Sequence, residues 1–98
     1  MQAIWNGKII ADSQATLEVD GYHYFPRTSV RMDLLKVSPP TAHDLECPHG
    51  VQFYDVTDGR QRSERSAWSY EAPGGVMKKV DHWIGFWDEV DVVRGATV

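Results

Sequence analysis

The chain has 98 residues, a formal net charge of −4, 42% hydrophobic and 24% charged residues. That is room for one domain with one modest core, and the ordinary composition of a soluble globular protein. The acidic balance and the scatter of Arg27, Arg31, Arg60, Arg62 and Arg65 argue against a nucleic-acid binder, which carries a clustered basic footprint.

In chain order, "AIWNGKIIA" places Asn6-Gly7 between two apolar runs. Both residues tolerate the positive φ of a type I′ turn, so a hairpin is expected with strands near 2–5 and 8–11. "ATLEVDGYHYF" repeats the device at Asp20-Gly21, and Pro26 ends the pairing because it has no N–H to donate. In "RTSVRMDLLKVSPP", Thr28 or Ser29 can cap one helical turn. A short strand over Leu34, Leu35 and Val37 is expected to follow it. Residues 39–50 hold Pro39, Pro40, Pro48 and Gly50 and little periodicity, and read as a loop.

"VQFYDVTDGRQRSERSAWSY" reads as another hairpin. Val51, Phe53 and Val56 are assigned to one side, Asp58-Gly59 to the turn and "DGRQRSERS" to a mobile polar tip. Val76, Met77, Val80 and Ile84 recur at helical spacing after a Pro-Gly-Gly break, for one or two helical turns. "WIGFW" then reads as a buried strand, "VDVV" as its partner across Asp88-Glu89, and residues 94–98 as a frayed tail. The sum is a mainly β domain of about eight short strands over residues 2–93, with very little helix.

One cysteine, Cys47, excludes an internal disulfide and a four-cysteine zinc knot, which fits a reducing cytoplasm. The N-terminus has no secretion-signal pattern, and no apolar run approaches the about 20 residues of a membrane span.

Three chemistries meet around "HDLECPHG". His43, Cys47 and His49 are residue types that bind zinc, and three ligands plus water would make a catalytic site. Alternatively Cys47 is a nucleophile, or His49 an acid–base group, with His49 or Arg27 stabilising a thiolate. The plain reading is a turn with two solvated histidines and a small packed thiol. No serine–histidine–aspartate order stands out, and Asp88-Glu89 falls in a turn. No catalytic constellation and no required cofactor emerge.

The aromatics point elsewhere. Tyr22, Tyr24, Trp68, Tyr70, Trp83 and Trp87 are more rings than so small a core can bury, so some are expected to line a groove for a planar or cationic small molecule. Trp5, Phe53, Phe86 and Trp87 are assigned to the core. The leading expectation is a small-molecule-binding domain with Tyr24, Trp68 and Tyr70 stacking, Arg27 contacting an anion, and Cys47 and His49 in a structured turn. The alternatives are an enzyme using Cys47 or His49, and a structural or interaction module, as a homodimer through an edge strand.

The ordered pieces "AIWNGKIIADS", "HYFPRTSV", "CPHG", "FYDV", "AWSYEAP" and "IGFWDEVDV" resemble a small, mostly bacterial family known as domain of unknown function 427, also labelled nucleotidyltransferase-like. The resemblance runs over about residues 2–93. It implies a β-tent, the Mss4-like arrangement of two antiparallel sheets leaning over a groove. Relatives of that fold include Mss4-like zinc proteins, methionine-R-sulfoxide reductases and the drug-binding domain of cereblon. The family's Cys-Pro-aromatic-Lys-Gly motif reads Cys47-Pro48-His49-Gly50 here, without the lysine; Lys78, Lys79 and Arg27 are the candidate replacements. The glycine-serine loop and paired aspartates of a nucleotidyltransferase are not found.

Overall fold

The computed structural model describes residues 1–94; residues 95–98 of the expected tail lie outside the described residues. Among the described residues, nine strands form two antiparallel sheets. The first hairpin joins β1 (Gln2–Trp5) to β2 (Lys8–Asp12), and Asn6 and Gly7 take φ of 50° and 76° as the turn requires. The second joins β3 (Leu17–Val19) to β4 (Tyr22–Phe25) through Asp20 and Gly21, at 53° and 84°.

Two 3-10 turns, Arg27–Ser29 and Met32–Leu34, lead into β5 (Leu35–Val37). Neither has a side-chain cap; Ser29 Oγ instead donates back to the Pro26 carbonyl. The 39–50 segment is not all loop. It holds a one-turn helix, α1 (Ala42–Leu45), closed by a capping box. Thr41 Oγ1 accepts from the Asp44 N–H, and the Asp44 carboxylate accepts from the Thr41 N–H.

The long hairpin is β6 (Val51–Thr57) and β7 (Arg62–Tyr70). Of the expected polar tip, residues 58–61 form the turn and residues 62–66 belong to β7. Tyr54 pairs with Ala67 and Val56 with Ser63, so β7 bulges over residues 64–66, with Arg65 at φ 55°. Buried Asp55 stands opposite the bulge: one carboxylate oxygen accepts from the Arg65 N–H at 3.0 Å, the other from Arg62 Nε at 2.9 Å.

A 3-10 segment, Gly75–Val80, precedes β8 (Ile84–Phe86). It buries Met77 and Val80 and leaves Val76 exposed. The last strand, β9 (Asp91–Val93), does not pair with β8. Both edges of β8 are already taken by β4 and β7, so the chain crosses to the free edge of β1. The sheets are therefore β2-β1-β9 and β3-β4-β8-β7-β6-β5.

Strand alternation decides which side chains enter which layer. Phe25, Leu35, Tyr54, Val56, Ala67, Ile84 and Phe86 face the small sheet and pack on Ala3, Trp5, Ile10 and Ala11. Their neighbours Tyr24 and Trp68 turn to the opposite face, with Val19, Met77 and Val80 and the partly buried Val51, Phe53, Tyr70 and Trp83. Val56 thus lies across the sheet from Val51 and Phe53, since residues an odd number apart in a strand point opposite ways. Gly85 faces outward between two inward residues. A Cβ there would stand 2.7 Å from Trp68 Cζ2, so the bare backbone seats the indole.

Candidate functional site

The outer face of the six-stranded sheet carries two adjoining depressions. One, of about 170 Å³, is lined by Tyr22, Val51, Phe53, Trp68, Tyr70 and Trp87. The other, of about 410 Å³, shares Val51, Phe53 and Tyr70 and adds His43, Asp44, Glu46, Cys47 and Pro48. Three shared residues make them one groove, aromatic at one end and polar at the other.

Its aromatic floor is Trp68, only 5% exposed. Tyr22 and Trp87 meet that ring near a right angle, with centroids 5.1 and 5.8 Å away and interplanar angles of 89° and 78°. Tyr22 and Trp87 are themselves 40% and 43% exposed, so they form rims. Trp87 is held by its indole N–H, which donates to the Arg65 carbonyl at 2.6 Å. The buried Trp68 N–H has no partner meeting hydrogen-bond geometry among the described residues.

Arg65 links the groove to α1. Its guanidinium lies over Phe53, with Cζ 4.0 Å from the ring centroid. The same group grips Asp44 with two bonds, 3.0 and 2.7 Å. The Arg65 bonds hold the Asp44 carboxyl at about 2, well below the usual carboxylate range; partial desolvation opposes them and the Thr41 amide assists. For Asp55, burial pushes the carboxyl up, but the Arg65 amide and Arg62 guanidinium outweigh it and leave the group below its ordinary value.

The structure brings together Trp68, Tyr70 and Cys47 of the expected site. His49 stands beside them in edge contact with Tyr70 at 5.3 Å, and its Nδ1 accepts from the Gly74 N–H at 3.1 Å. A neutral His49 ring therefore carries its proton on Nε2. Tyr24 does not line the groove: it is 2% exposed, behind Trp68, and burial pushes its hydroxyl up. Arg27 lines neither depression. It donates to the Tyr54 hydroxyl and the His82 carbonyl, both at 2.7 Å, on the sheet's inner side.

Phe53 and Trp87, expected in the core, line the groove instead. Tyr22, one of the surplus rings but not assigned to the site, lines it, and Val51, Asp44 and Glu46 were missed; the parity of β6 could have found Val51 beside Phe53. The expected zinc alternative at His43, Cys47 and His49 is not assembled. His49 spends Nδ1 on Gly74, and among the described residues no three His, Cys, Asp or Glu side chains are placed to hold a metal ion. No helix among the described residues is long and apolar enough to cross a membrane.

The sequence model described as domain of unknown function (DUF427), labelled NTP_transf_9, matches residues 1–96. The chain belongs to that family. A search of curated proteins gives no match.

Proposed function

We propose that this DUF427 domain is a small-molecule-binding protein whose ligand sits in the outer groove. One observation supports the reading: five aromatic side chains, Tyr22, Phe53, Trp68, Tyr70 and Trp87, line one open depression. Tyr22 and Trp87 stay part-exposed on either side of the buried Trp68 indole, an apolar patch of the contiguous kind that marks binding grooves. Supporting it is the rigidity of the walls. Gly85 seats Trp68, Asp55 fixes the bulge that carries Arg65, and Arg65 in turn holds Trp87 and α1. Such preorganisation lowers the ordering cost of binding. We place the domain in the cytoplasm, on its single unbridged cysteine.

The test is a small-fragment screen read by the indole N–H signals of the four tryptophans. Binders should move Trp68 and Trp87 and leave Trp5, buried between the sheets, in place. Hits that move no groove tryptophan would remove the support for the site.

A second reading, an interaction module, draws on β5, a free edge of the six-stranded sheet that exposes Val37. It expects a mass that falls on dilution and a Val37→Lys variant that is monomeric throughout. A mass unchanged by dilution and by that variant would set it aside.

A further inference from the structure

We infer that the groove's occupant is an organic cation, with a compact alkylammonium group seated among Tyr22, Phe53, Trp68, Tyr70 and Trp87. The inference rests on the groove reading above and adds the ligand's charge and shape.

Shape comes from the ring angles. A slot for a flat ligand needs two near-parallel faces about 7 Å apart, twice the contact distance of about 3.5 Å. Here Phe53 and Trp87 are tilted at 37° with centroids 6.2 Å apart, too close to sandwich a ring between them. The other walls stand at 89° and 78° to Trp68. Walls on several sides suit a rounded group. The aromatic end, at about 170 Å³, holds roughly five or six waters' worth of liquid volume at about 30 Å³ each, the size of a compact headgroup.

Charge comes from the lining. Aromatic faces are electronegative and attract cations. No Lys or Arg lines either depression, while Asp44 and Glu46 line the polar end. Asp44 is already answered by Arg65. Glu46 has no ion-pair or hydrogen-bonding side-chain partner among the described residues, and is the carboxylate left to meet a ligand. The groove also has a built-in precedent: the Arg65 guanidinium rests on the Phe53 ring. A net charge of −4 favours encounter with a cation.

The test titrates the protein with choline and with 3,3-dimethylbutan-1-ol, its neutral isostere, following the Trp68 and Trp87 indole signals; indole serves as a neutral reference probe. Choline should bind at least about tenfold more tightly than the isostere, since only the cation gains a desolvated cation–π contact. Trp87→Leu, at a rim position, should weaken choline about tenfold, and Glu46→Gln severalfold. Equal binding of choline and the isostere would overturn the cation inference and leave the groove reading standing. So would indole binding without choline binding. No groove response to any of the three would overturn both.

Discussion

Asp44→Asn tests the clamp that ties α1 to the groove. The change keeps the side chain's shape but removes the charge that Arg65 holds with two bonds. The folded carboxyl lies at about 2 against an ordinary 3.8. At 1.36 kcal/mol per unit, a difference of nearly two units is worth about 2–3 kcal/mol. The carboxylate is buried, but its partner Arg65 is 30% exposed, so solvent screening reduces this to about 1–2 kcal/mol. The sign follows from a depressed folded pKa. The stabilisation is complete above the unfolded value, about half remains near pH 3, and most is gone near pH 2. Urea unfolding of both proteins from about pH 7 downward should therefore show a gap of about 1–2 kcal/mol that closes on acidification. A gap as large near pH 3 as near pH 7 would refute the ion pair as its source.

Three other predictions concern the same scaffold. Gly85→Ala forces a Cβ to 2.7 Å from the Trp68 ring and should cost about 1–3 kcal/mol in urea unfolding; it should also shift the Trp68 indole signal, and an unperturbed signal would count against the seat. Asp55→Ala strips the Arg65 amide of its buried acceptor and should cost about 1–3 kcal/mol; faster amide exchange at residues 64–66 would locate the loss at the bulge, and unchanged exchange there would exclude it. Cys47 should react with iodoacetamide no faster than a small reference thiol, because His49 is engaged with Gly74 and Arg27 with Tyr54 and His82; a much faster reaction would revive the enzyme alternative.

What was legible in the sequence was local. Asn6-Gly7 and Asp20-Gly21 announce their hairpins because positive φ restricts residue choice within the turn itself. The capping box of α1 was equally local: Thr41 and Asp44 stand three apart, and the surrounding prolines masked them. The destination of β9 was not local, since it depends on both edges of β8 being filled by strands far away in sequence.

The site shows the same division. Alternation separates Trp68 from Ala67 and Tyr24 from Phe25, yet nothing within a strand tells which outward ring another element covers. Tyr24 is covered from one side by Trp68, while Trp87 stays open. Arg27 stands two residues after inward Phe25 and reaches Tyr54 on that side, away from the aromatic groove it was expected to serve. Asp55 and Arg65, ten residues apart, act together only because the bulge brings an amide to a carboxylate.

The most direct measurement is native mass spectrometry of the chain purified from its own cells, beside the Trp87→Leu variant. A groove that binds a small molecule predicts an organic adduct on the first that is lost or much reduced on the second. Bare protein in both samples, or an adduct retained unchanged by the variant, would contradict the groove as the functional site.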